Sequence, residues 1–310
     1  MTRPVLVTPR SLTAAGLDTV AELGPLRAAG FALVPGPAGR VPTERELLEL
    51  VPGCVGWLAG IEPIGTRVLA AATDLRVISR NGSGTDAIDT AAAARAGIRV
   101  VRAEGANAQG VAELAIALAL AGLRHVPWSA AALRAGGWDR HRGRELDECR
   151  VGVVGLGAIG GRVAGLFRAL GADVVATDPV LDADTAPVPL VDLDALLAGC
   201  DVVTLHTPPG GRPLLDADRL SRVRRGTVLV NTARAALVDD AAVLAALEDG
   251  RLAAYAVDAF DSEPPALTPL LRHERVVATP HVGGFTGASV RRATAQAVEN
   301  LLAMLTEVRT

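Results

Sequence analysis

The stretch from Arg150 to Pro179, RVGVVGLGAIGGRVAGLFRALGADVVATDP, decides the fold. Val151, Val153 and Val154 form a short β-branched run that ends at Gly155, and Gly157 and Gly160 complete a G-x-G-x-x-G spacing. In such a turn the first glycine permits the sharp strand-to-helix reversal. The second lets a pyrophosphate approach the backbone, and the third lets helix and strand pack closely. The helix that follows offers unpaired N–H groups and the positive end of its dipole to phosphates, so Ala158 and Ile159 join the glycines as expected cofactor contacts. A second strand runs from Ala172 to Thr177, and Asp178 stands 18 residues beyond Gly160. A carboxylate there accepts hydrogen bonds from ribose hydroxyls and repels a 2′-phosphate, so the expected cofactor is NAD rather than NADP.

Composition narrows the class. With 310 residues the chain can hold two domains. A net charge of −3 argues against a nucleic-acid or anionic-membrane partner. The longest apolar run, Leu114 to Gly122, is too short to span a bilayer and reads as a buried helix. Cys54, Cys149 and Cys200 show no metal-ligand spacing, so no metal is expected. The N-terminus moves directly into a strand pattern without an apolar signal region. These features lead us to expect a cytoplasmic protein.

Apolar segments at Val5–Thr8, Phe31–Val34, Val55–Ala59, Val77–Ser79 and Arg99–Val101 alternate with helical patterns. This βα alternation predicts a first parallel sheet. Thr43 and Glu46 form a capping box ahead of Leu47. Asn107–Arg124 reads as a long Ala/Leu helix and is followed by Pro127–Gly137. A helix apolar on most faces at such a junction predicts an interdomain or intersubunit interface, and hence a homodimer. Beyond Asp178 the alternation resumes with strands at Val202–Leu205, Thr227–Asn231, Ala254–Val257 and Val276–Ala278, and a helix from Ser289 to Leu305 closes the chain. The expected fold class is α/β, with two parallel-sheet domains of Rossmann-like and flavodoxin-like type.

In doubly wound sheets ligands collect at the carboxyl ends of the strands. The residues that follow the later strands are His206-Thr207-Pro208, Asn231-Thr232-Ala233-Arg234, Asp258 with Glu263 beyond it, and Thr279-Pro280-His281. Hydride transfer to a ketone needs a cation for the substrate anion, a proton donor for the developing alkoxide, and a group that holds that donor in its acid form. Arg234, His281 and Glu263 are of the right types.

The blocks GLGAIG, NTAR, VDAFDSEPP and TPHVGGFT, in this order, resemble the signature blocks of the NAD-dependent D-2-hydroxyacid dehydrogenases, and SRNGSGTDAID and GANAQGVAELAIAL resemble that family's substrate loop and interdomain helix. The resemblance implies that Arg234 binds substrate, that His281 is the acid–base, and that Glu263 pairs with His281. It further implies that Asp258 lies near the nicotinamide. His206, Thr207, Pro208, Thr232 and Ala233 would complete the cofactor set, and Arg80, Asn81, Gly82, Ser83 and Gly84 the substrate set. The implied fold has an NAD domain (102–282) inserted into a discontinuous substrate domain (1–101 and 283–310), and the family's members are typically homodimers.

Some positions depart from the pattern. Ala235 and Ala236 follow NTAR where the family often has two glycines, and the loop after His206 is short. Asn81 and Ser83 replace residues that are commonly apolar, although Gly82 and Gly84 still allow a backbone anion nest. Glu263 stands where the formate-oxidising branch has glutamine. The expected substrate is a small 2-keto or 2-hydroxy acid. Arg80 and Arg102, with Arg140, Arg142 and Arg144 delivered by a neighbouring subunit, suggest a second anion on it, as in 3-phosphohydroxypyruvate or a phosphonate analogue, and the chain resembles a short phosphoglycerate dehydrogenase that ends at Thr310 without a C-terminal regulatory domain. The alternatives are a reductase of simple keto acids such as glyoxylate, hydroxypyruvate or pyruvate, and a non-enzymatic NAD sensor on the same fold.

Overall fold

The computed structural model describes residues 3–14 and 16–306. The ends of the expected substrate domain, 1–2 and 307–310, lie outside the described residues. The chain divides into two compact units, one running to Asn107 and resuming at Thr286, the other running from Ala108 to Phe285.

The first unit is a five-stranded parallel sheet made of β1 (Arg3–Val7), β2 (Phe31–Pro35), β3 (Gly56–Ala59), β4 (Val77–Arg80) and β5 (Arg99–Arg102), in the order β2-β1-β3-β4-β5. Its central strands are buried on both faces and therefore read as unbroken apolar runs. The capping box starts the Glu44–Leu50 helix as the sequence predicts, with Thr43 accepting from Glu46 N–H and Glu46 accepting from Thr43 N–H. The Gly287–Thr306 helix covers one face of this sheet, where Ala297, Leu301 and Leu305 share a core with Val5, Leu58 and Val77.

The second unit is a six-stranded parallel sheet made of β6 (Arg150–Val154), β7 (Asp173–Thr177), β8 (Val202–Leu205), β9 (Thr227–Asn231), β10 (Leu252–Val257) and β11 (Val276–Ala278), in the order β11-β10-β9-β8-β6-β7. Both sheets thus wind alike. The second strand lies on one side of the first and the third strand on the other, so in each sheet the winding reverses between the first and third strands.

The unit boundaries at 107/108 and 285/286 fall a few residues later than those read from the sequence. Ala103 is fully buried in the first unit's core, and Ser83 donates to Ala103 O and Asn107 Oδ1, which keeps 103–107 with that unit. Gly283 N–H donates to Asp258, which keeps the residues just after His281 with the second unit.

The Ala108–Leu123 helix contributes to the second unit's core. It packs on β9, β10 and the Gly160–Ala169 helix, with Ala112, Ala115, Ala119 and Leu123 in the second unit's own core. Small residues let this side of the helix lie close to the sheet. A Cβ at Gly122 would stand 2.8 Å from Val228 Cγ1. The next helix, Val126–Arg134, has no buried residue, and Val126, Leu133 and Trp138 are all exposed. Among the described residues no single helix is long and apolar enough to cross a membrane.

Candidate active site

The glycine turn is built at the point where the second sheet reverses. Gly155 leaves β6 with φ +89° and packs under the carboxyl end of β8, where His206 N–H donates to Val154 O at 2.7 Å. Gly160 begins the helix so close to this turn that an added Cβ would stand 1.8 Å from Gly155 O. Gly157 faces open space, with nothing within 4 Å of its Cβ position. The helix N-terminus that follows has no side-chain cap; Gly161 N–H donates to Gly157 O at 3.0 Å, and the Gly160 and Arg162 amides are available to an anion.

Asp178 closes the other side of the turn. Its Oδ2 accepts from Leu156 N–H at 2.8 Å and its Oδ1 from Val180 N–H at 2.9 Å, and these bonds hold the carboxyl below its ordinary range and hence charged. Beneath the turn, His206 shares a hydrogen bond between Nε2 and Thr204 Oγ1 at 2.8 Å, while its buried Nδ1 has no protein partner. Burial pushes the His206 ring down to about 3, so it is neutral. Thr232 Oγ1, at the end of β9, is likewise buried without a partner. Open space at Gly157, uncapped amides, a charged Asp178 and two orphaned polar atoms on one sheet edge fit a dinucleotide.

The ends of β9, β10 and β11 carry the remaining candidates. Asn231 is fully buried at the end of β9. Its Nδ2 donates to Arg234 O at 2.8 Å, and its Oδ1 accepts from Ala233 N–H at 3.1 Å, which shapes the turn that presents Arg234. Arg234 Nη1 donates to Ala233 O at 2.7 Å. Asp258, after β10, faces the loop that carries His281. Its Oδ1 accepts from Thr279 Oγ1 at 2.6 Å and from Val282 N–H at 2.8 Å, and its Oδ2 accepts from Gly283 N–H at 2.8 Å. The carboxylate therefore clamps the loop on both sides of His281.

That loop needs a clamp, because His281 has φ +51°, a left-handed conformation that is costly for a residue with a Cβ. The reward is its aim. His281 Nδ1 meets Glu263 Oε1 in a short contact, and Nε2 has no protein partner among the described residues. Asn231 and Thr279 were missed as positioning residues by the sequence reading. The signal available was a polar residue at the end of an otherwise apolar strand.

In the first unit, the loop after β4 uses its polar side chains internally. Ser83 holds Ala103 and Asn107, Asn81 Oδ1 lies 3.5 Å from Thr294 Oγ1, and Arg80 Nη1 donates to Asn81 O. The backbone N–H groups of Ser83 and Gly84 have no acceptor among the described residues, as an anion nest requires.

Two of the arginines read as a second-anion cluster are paired within their own units. Arg102 pairs with Glu104 at 2.8 Å. Arg144 pairs with Asp201 at 2.8 Å and donates to Gly226 O, at the amino ends of the second unit's strands, and Arg142 lines a cavity of about 340 Å³ at the same end.

Fold and edge together define an α/β protein of the dinucleotide-binding class. Residues 116–283 match the sequence model of the D-isomer specific 2-hydroxyacid dehydrogenase NAD-binding domain. The chain is 40% identical over 231 residues to the D-3-phosphoglycerate dehydrogenase of Archaeoglobus fulgidus, covering 72% of this chain and 44% of that protein. It is 34% identical over 264 residues to the hydroxypyruvate reductase of Thermotoga maritima, covering 83% and 86% of the two chains. The crystal structure of TT0316 protein from Thermus thermophilus superimposes with a TM-score of 0.87 at 36% identity, covering 98% of this chain and 97% of that one. The chain therefore belongs to the D-2-hydroxyacid dehydrogenase family, and NAD is the cofactor of its second unit. The chain spans about half the length of the phosphoglycerate dehydrogenases it matches.

Proposed function

We propose that the chain catalyses reversible hydride transfer between NAD(H) and a small 2-keto or 2-hydroxy acid. The observation that carries this reading is the His281–Glu263 pair, set at the same sheet edge as Arg234 and the glycine turn. NAD, when bound, supplies or accepts the hydride, and the remaining tasks fall to side chains. Glu263 fixes the imidazole through Nδ1, so Nε2 can give a proton to the alkoxide oxygen in reduction and take it back in oxidation. Arg234 offers a planar fork to the substrate carboxylate. Asp258 and Asn231 position His281 and Arg234. Gly155, Gly157, Ala158, Ile159, Gly160 and Asp178 hold the dinucleotide, with His206, Thr207, Pro208, Thr232 and Ala233 along the same edge, and the amides of Ser83 and Gly84 receive the acid.

A panel of 2-keto acids with NADH and with NADPH, followed by nicotinamide absorbance, tests this reading. Oxidation of NADH by at least one keto acid, with NADPH inactive, is expected. NADH binding without turnover of any of them would return the chain to the sensor alternative.

The exposed Val126–Arg134 helix and Trp138 support a homodimer formed through that surface. Sedimentation as a monomer at micromolar concentration would remove it.

A further inference from the structure

The first sheet has the same reversal between its first and third strands as the second, and in such sheets ligands bind in the crevice at that point. The residues there are Thr8, which follows β1, and Gly60, which follows β3. Glu62 fills the place. Its side chain is 1% exposed, and its Oε1 accepts from Gly60 N–H at 2.9 Å and, in a short contact, from the Thr8 hydroxyl. Thr8 Oγ1 in turn accepts from Trp57 Nε1–H at 2.8 Å. Glu62 Oε2 has no protein partner among the described residues, and no Arg or Lys pairs with the carboxylate. Burying a carboxylate without a counter-ion is costly, and a neutral residue would fill the crevice more cheaply.

The neighbourhood gives this charge a use. Asn81 N–H donates to Ala59 O at 2.8 Å, and Arg80 is in register with Ala59, so the loop carrying the free Ser83 and Gly84 amides springs from the strand beside Glu62.

We propose that Glu62 is a specificity residue: its uncompensated negative charge selects 2-keto acids whose only anion is the 2-oxo carboxylate, and rejects those bearing a phosphate or second carboxylate on the adjoining carbon. The inference rests on the keto-acid reading above. It runs against the phosphorylated substrate that the arginine-rich sequence suggests, and the commitments of Arg102 and Arg144 support that departure. At low effective dielectric, like charges several ångströms apart are worth roughly 10- to 100-fold in relative binding.

The test is calorimetric titration of the NADH-loaded protein with oxamate, a monoanionic keto-acid analogue, and with 3-phosphoglycerate. Wild type should bind oxamate at least about 10-fold more tightly, and Glu62→Gln, which keeps the Oε1 acceptor, should tighten 3-phosphoglycerate by about 10-fold or more while leaving oxamate within about twofold. A wild-type preference for 3-phosphoglycerate overturns the proposal even if the variant does not fold. An equal change for both ligands assigns Glu62 a structural role only and also overturns it. Selective oxamate binding without turnover of any keto acid leaves the specificity assignment standing while the dehydrogenase reading fails. Turnover of glyoxylate with no effect of Glu62→Gln does the reverse. If neither ligand binds, both fall.

Discussion

Where β6 ends, the chain turns through glycine and leaves open space beside Gly157, uncapped amides and a neutral histidine beneath. Where β1 ends, in a sheet wound the same way, the corresponding space is filled by the carboxylate of Glu62. The winding creates a crevice in both units, and a few side chains decide its electrostatic sign. One edge is prepared for a polyanion and the other is set against one.

The largest effect is expected at the chemically loaded edge. His281→Ala should lower turnover by about 10²- to 10⁴-fold with NADH affinity nearly unchanged, measured by steady-state kinetics and fluorescence titration. A variant with wild-type turnover would place the acid–base elsewhere.

The glycine turn sharpens the contrast further, because its glycines have separable roles. Gly157→Ala meets nothing within the protein, so it should melt as wild type does yet bind NADH about 10-fold or more weakly. Gly160→Ala drives a Cβ into Gly155 O and should lose both stability and binding. If Gly157→Ala binds NADH normally, the open space beside it is not where the pyrophosphate lies.

The smallest effect concerns acid. His206 is neutral when folded, with its ring pushed down to about 3, whereas an unfolded histidine titrates near about 6.5. Between those values the unfolded chain binds the proton and the folded chain does not, so this contribution to stability is complete above about pH 6.5 and declines as pH falls toward about 3. His206→Gln should therefore flatten the fall in melting temperature between about pH 7 and about pH 4, by a few degrees. An unchanged slope would show that His206 is not the acid-sensitive group at the turn.

The glycine turn and Asp178 were legible in the sequence because their roles depend on short spacings along one strand, one turn and one helix. The strand ends that carry Arg234, Asp258 and His281 were legible because parallel strands bring their carboxyl ends to one edge. What escaped depends on pairing across strands. Nothing near Glu62 in sequence announces that Thr8 and Gly60 will enclose it, and nothing near Asp258 says that its oxygens face the loop after β11. For the Ala108–Leu123 helix, apolarity shows that faces are covered but does not say that Val228 and Ala254 cover one of them.

The chain's return to its first sheet has a consequence for biogenesis. Ser79 donates to Ala297 O across 218 residues, and Leu301 and Leu305 pack against the β3 backbone at Gly56. The first unit therefore cannot close its core until the last helix has left the ribosome, whereas the second unit, contiguous in sequence, can fold during synthesis. Closure of so long a loop is slow, and until then the nascent first sheet exposes Val5, Leu58 and Val77 to chaperones and to neighbouring chains.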